Sequence, residues 1–119
     1  MTARAAAADR REHFRIVYPK FVQPRFVIDG VSVPMRVYDC SETGVRYERP
    51  PNVPLEVGDE VTGTLRFHPR RQVELLGVVV RAGSADVALR LIPPGIPISV
   101  MFAEQRHLMR MYPDGIPQL

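Results

Sequence analysis

Two short stretches carry side chains suited to gripping an anion. Arg10-Arg11-Glu12-His13-Phe14-Arg15 contains an Arg-x-x-x-Arg pair, Arg11 and Arg15, with Arg10 as a third cation. Asp39-Cys40-Ser41-Glu42-Thr43-Gly44 follows the pattern Asp-x-Ser-x-x-Gly. A guanidinium is a planar fork that matches phosphate oxygens and guanine edges in bidentate fashion. Arg11 and Arg15, four positions apart, fall on one side of the segment whether it is helical or extended. An ionised Asp39 only accepts hydrogen bonds, so it suits an N–H edge. Ser41 can donate to a phosphate or ligand carbonyl, or cap its own turn. Gly44 is expected to set the turn's backbone by supplying a positive φ. Arg46, just beyond on the next strand, is a further candidate for the same site.

No other constellation points to chemistry. His13, His68 and His107 are scattered and lack ligand spacing with Cys40 or the acids, so neither a metal site nor an enzyme is expected. Each histidine reads as a surface or loop residue. The single cysteine, Cys40, excludes an internal disulfide framework and fits a reducing compartment, so a cytoplasmic location is expected. With no base beside it, Cys40 reads as structural. No apolar run approaches the length of a membrane span, and residues 1–9, alanine-rich but without a long apolar stretch, make a poor signal peptide.

The chain has 119 residues, a net charge of +3 and a pI near 9.5, with Lys20 its only lysine. An arginine-dominated basicity suits an anionic ligand, although an Arg-rich, Pro-rich and Ala-rich composition also follows from GC-rich coding. The length fits one domain.

The elements that would position the two stretches are mostly strands. Residues 25–28 form a short strand, and Asp29-Gly30 is a two-residue hairpin signal. Val31, Val33, Met35 and Val37 alternate with Ser32, Pro34, Arg36 and Tyr38 as the next strand, with Pro34 suggesting an edge or bulge. Residues 45–48, 61–67, 73–81 and 87–91 supply four more, with a proline-rich loop over 49–59 and Gly77 marking a bulge. Strands at hairpin spacing with no intervening helix argue for an antiparallel barrel. The period then changes. Ile98, Met101, Phe102, Gln105, Leu108, Met109 and Tyr112 share one helical face as the expected core contacts, with Glu104, Arg106, His107 and Arg110 on the other side, until Pro113 and Gly115 stop the helix.

With the Arg-x-x-x-Arg arm, the Asp-x-Ser-x-x-Gly turn after a strand pair, and the strands and helix that follow, the chain resembles a PilZ domain over residues 9–112. The resemblance implies an all-β fold, a six-stranded antiparallel barrel with a C-terminal amphipathic helix. It implies a tail over 1–9, a domain over 10–112 (arm 10–15, barrel 25–91, helix 98–112) and a second tail over 113–119. It also implies binding of cyclic di-GMP, a bacterial second messenger with two phosphate charges and two guanines. By resemblance Arg10, Arg11, Arg15, Asp39, Ser41, Gly44 and Arg46 form the ligand site, with no cofactor. The arm would close on the ligand and alter a surface read by a downstream protein, in motility or biofilm regulation. A homodimer is compatible with this picture, and specific nucleic-acid binding is not expected. The chain departs from some members in having no tryptophan to stack on a guanine, so Val79 or a neighbour would serve with apolar packing. Two other readings remain open at this stage. One is a PilZ-fold interaction module that has lost nucleotide binding. The other is a small basic barrel for single-stranded nucleic acid, using Tyr38, Tyr47 and Phe67 as platforms.

Overall fold

A computed structural model describes residues 14–68 and 70–114. Seven strands appear in order: β1 (Ile16–Val17), β2 (Arg25–Ile28), β3 (Met35–Cys40), β4 (Gly44–Glu48), β5 (Glu60–Arg66), β6 (Gln72–Ala82) and β7 (Asp86–Leu91). A 3-10 turn, Lys20–Val22, separates β1 from β2, and the helix α1 (Ile98–Met111) ends the described chain.

All pairings are antiparallel, in the order β3-β2-β5-β6-β7-β4, and β4 returns to β3. Six strands therefore close into the expected barrel with one C-terminal helix. Closure removes the unpaired edges that would invite association. The seventh strand, β1, lies end to end with β2 on the same edge of β3: β2 pairs Arg36 and Met35, while β1 pairs Cys40 and Asp39.

Period-two patterning drives this arrangement. In β5, Val61, Gly63 and Leu65 point inward between exposed or half-buried neighbours. Phe26 and Tyr47 meet edge to face at the centre, with ring centroids 5.1 Å apart, amid fully buried Val37, Val45, Leu65, Val79 and Val87. Gly63 is required where β2 crosses closely, since a Cβ there would run into the Val27 carbonyl and the Phe26 ring.

Four expectations change. The alternating run over 31–38 does not form one strand. Val33 is 59 % exposed, and β3 starts only at Met35 and continues through Cys40. The connection after Asp29-Gly30 is accordingly a wide turn, because Pro34 cannot donate to a ladder. Gly77 is not a bulge. It makes room for Leu89, whose Cβ lies 3.1 Å from the position a Gly77 Cβ would take, and the β6 irregularity falls between Val79 and Arg81. On α1 the inward residues are Met101, Ala103, Glu104 and Leu108, whereas Phe102 and Met109 are exposed. Glu104 is inside because partners await it there: Tyr18 Oη donates to it at 2.9 Å and the His68 backbone N–H at 3.1 Å. Finally, Val79 is wholly buried in the core and offers nothing to an outside ligand.

Candidate ligand-binding site

The site is built on the outer face of the barrel, and two β-bulges build it. In β3 the partners of β4 step from Val37↔Tyr47 to Asp39↔Arg46, two residues against one. A bulge turns the following side chain to the other face of the sheet. Val37 is in the core, and the regular pleat would send Asp39 there too. The extra residue, Tyr38, instead brings Asp39 out opposite Arg46. In β6 the partners of β7 step from Val79↔Leu89 to Arg81↔Ala88, again two against one. Since Ala88 also pairs with Arg46, Arg81, Ala88, Arg46 and Asp39 form one row across four adjacent strands. Val17, opposite Asp39 in β1, extends it.

Charge alternates along this row. Asp39 Oδ1 accepts from Arg15, in the arm, and Asp39 Oδ2 accepts from Arg46 Nε at 2.8 Å. Arg46 Nη1 donates onward to Asp86 Oδ2 at 3.0 Å, and Arg81 donates to both Asp86 oxygens at 3.1 and 3.0 Å. The small Ala88 side chain leaves the room in which Arg46 and Arg81 converge on Asp86. The Arg46 guanidinium also lies over the Tyr38 ring, 5.0 Å from its centroid. Partial burial disfavours the Arg46 charge, but hydrogen bonds to Asp39 and Asp86 outweigh it and raise its pKa. Bonds from Arg81 and then Arg46 hold the Asp86 carboxyl below its usual range. The row is accessible: the Arg15, Arg46 and Arg81 side chains are 45, 37 and 53 % exposed, against 9 % for Asp39.

The expected site residues fall into three groups. Arg15, Asp39 and Arg46 are brought into direct contact. Ser41 is buried. Its N–H donates to the Gly44 carbonyl at 2.8 Å, and its Oγ accepts from the Thr43 N–H at 3.3 Å, so it caps the turn. Gly44 begins β4 without a positive φ, contrary to the expectation from the turn pattern. Its constraint is a close approach, since a Cβ there would sit 3.3 Å from the Leu89 carbonyl. Arg10 and Arg11 lie outside the described residues, as does His13.

Sequence reasoning missed Asp86 and Arg81. The available signal was Asp39 itself, a charged residue in phase with the inward Met35 and Val37, which announces either a buried charge or a bulge. Cys40 is buried, and burial pushes its thiol up to about 12, in keeping with a structural role. His68 does more than occupy a turn: its ring stacks on His107 at 5.5 Å, and its Nδ1 lies 3.1 Å from Glu104. Among the described residues no group of three or more His, Cys, Asp or Glu could hold a metal ion. No helix among them is long and apolar enough to cross a membrane.

Comparison with known proteins places this architecture. No curated protein sequence matches the chain. A solved structure of the Bacillus subtilis inhibitor of motility (MotI/DgrA) matches it with a TM-score of 0.60 at 15 % identity, over 84 % of this chain and 50 % of that one. This chain thus spans half the length of that neighbour, and the likeness is one of fold. The family model of the PilZ domain matches residues 9–111; with that match spanning nearly the whole sequence, the chain belongs to the PilZ domain family.

Proposed function

We propose that the protein is a receptor for cyclic di-GMP, bound on the charged row by the arm and the Asp39 turn. The observation that carries this reading is the contact between Arg15 and Asp39. Two motifs separated in sequence meet on one exposed face, with Arg46 beside them.

The chemistry follows from charge exchange. Arg15 and Arg46 now neutralise Asp39. A ligand phosphate would take guanidinium donors from the carboxylate, and a guanine N–H edge would replace them as the donor to Asp39. Arg10 and Arg11 precede the arm's described part and would add phosphate and guanine contacts. Each charge-assisted hydrogen bond contributes roughly 1.5–3 kcal/mol, so two or three with stacking reach about −8 kcal/mol, the micromolar range. Tyr38, under the Arg46 guanidinium, replaces the apolar role first expected of Val79. The arm's change of position on binding is the signal read by a downstream protein. The protein needs no cofactor for this role and works as a cytoplasmic adaptor, not an enzyme.

The test is calorimetric titration with cyclic di-GMP, run beside Arg11→Ala and Asp39→Ala. Micromolar binding abolished by both substitutions supports the receptor. A folded protein that gives neither heat nor a thermal shift is an interaction module without nucleotide. Retention of short RNA in place of the dinucleotide would point to the nucleic-acid reading.

A further inference from the structure

The outer face of α1 is unusually apolar for a surface helix. Ile98, Phe102 and Met109 are 39, 46 and 62 % exposed. They follow one another at spacings of four and seven, and with Gln105 and Tyr112 they make a stripe at alternating spacings of four and three. That is the seam period of helix-to-helix packing. The N-terminal segment borders the stripe. Phe14 packs at a tilt against Phe102 with centroids 5.6 Å apart, and Phe21 meets Tyr112 edge to face at 6.1 Å. Two grooves share Phe14 as a wall. One, of ≈ 280 Å³, runs past Val17, Gln105, Met109 and Tyr112. The other, of ≈ 460 Å³, lies between Glu42, Ile98 and Phe102. A contiguous apolar patch of this kind marks a place where something binds.

We infer that this stripe and its two grooves dock an amphipathic helix of another protein, with apolar side chains at seam spacing flanked by Asp and Glu. Charge selects that occupant. The exposed ionic groups on α1 are Arg106 and Arg110, and its single acid, Glu104, is buried. The segment from Phe14 to Phe21, which packs along the stripe, adds exposed Arg15 and Lys20 and no acid. A basic rim around an apolar stripe favours an acidic-flanked helix and disfavours like-charged ones. A second copy packing α1 on α1 would set Arg106 and Arg110 against themselves. The chain's own residues 1–13 carry Arg4, Arg10 and Arg11 against Asp9 and Glu12, again the wrong sign. A lipid surface fits less well. The grooves are concave and accept protruding side chains, which a headgroup layer does not supply.

The docking surface stands independently of the nucleotide reading, and its test uses the ligand-free full chain. Fluorescence anisotropy is measured with three labelled helical peptides sharing one leucine seam and differing only in flanking residues, all Glu, all Gln or all Lys. Vesicles of phosphatidylcholine and phosphatidylglycerol serve as a fourth probe, and sedimentation velocity reports self-association. The expected result is saturable binding of the Glu peptide at least tenfold tighter than the Lys peptide. Phe102→Glu and Met109→Glu, both at exposed positions, should each weaken it at least tenfold without a change in circular dichroism. Equal affinity for all three peptides, binding of none, retention by the vesicles instead, or a dimer dispersed by Met109→Glu would each overturn the proposal.

Discussion

Asp39 and Arg46 face each other across β3 and β4, 2.8 Å apart, because β3 carries one more residue than its partner between Val37 and Asp39. With Tyr38 in a regular pleat and no bulge, Asp39 would share the inward face of Val37, where an unpaired carboxylate is costly. The site is thus a product of strand register more than of loop shape.

Asp86 works against an anionic ligand. Three guanidiniums, from Arg15, Arg46 and Arg81, share two carboxylates, Asp39 and Asp86. Replacing Asp86 by Asn raises the row's net charge by one while leaving the Arg46–Asp39 bond intact. Cyclic di-GMP should then bind about fivefold tighter, roughly 1 kcal/mol at an intermediate dielectric, with a steeper loss on adding salt. Calorimetry at two ionic strengths reads both effects.

The same residue predicts an acid limit to stability. Arg81 and Arg46 hold the Asp86 carboxyl below its usual value, and Arg36 does the same for Glu48. A lowered folded-state pKa means a contribution that is complete above the unfolded value, about 3.9 for Asp and 4.3 for Glu. It is lost as pH falls through the lower folded value. Melting temperature should therefore drop as the solution is acidified below about pH 4, and the drop should be shallower for Asp86→Asn. An equal slope in the two proteins would assign the acid sensitivity elsewhere.

Glu104 ties the helix to the barrel through Tyr18 Oη and the backbone and ring of His68. Glu104→Ala leaves the buried Tyr18 hydroxyl without this partner and should destabilise the fold by about 3 kcal/mol. Tyr18→Phe should also destabilise it, because the buried carboxylate then loses a donor. Adding the two losses should overstate the double variant, since both act on one network. Urea unfolding of the four proteins provides the cycle.

Two glycines in the barrel should respond differently to alanine. At Gly63 the new methyl meets the Val27 backbone and the Phe26 ring, which cannot yield separately, and a loss of about 2 kcal/mol is expected. At Gly44 the nearest atom is the Leu89 carbonyl at 3.3 Å. A few tenths of an ångström relieve that contact, so stability should change by less than about 1 kcal/mol, as thermal melting would show.

Most of the barrel was legible because its strands obey period two: β5 and β7 could be placed to within a residue. What escaped was every departure from that period. The bulges at Tyr38 and Val80 leave no turn residue behind, so neither Arg81 nor Asp86 could be joined to Asp39 from the sequence. The helix was located correctly but turned wrongly. Hydrophobicity placed Phe102 and Met109 inside and Glu104 outside, whereas the barrel end offers Glu104 three hydrogen-bond contacts. At the site, residue types pointed to Arg15 and Asp39. Ser41 caps its turn by accepting from the Thr43 N–H, one of the two roles its residue type left open.

The short β1 sets the arm's mechanics. It joins β3 by two residue pairs, Ile16↔Cys40 and Val17↔Asp39, whereas β5 and β6 share seven. Phe14 and Arg15 stand immediately outside those two rungs, with one ring against the helix and one cation against the carboxylate. A pull on either side chain is thus borne first by a two-rung seam, while the six strands of the barrel pair among themselves without β1. Tension at the helix groove and tension at the charged row converge on the same pair of rungs, so the first thing to yield under load is the link between them.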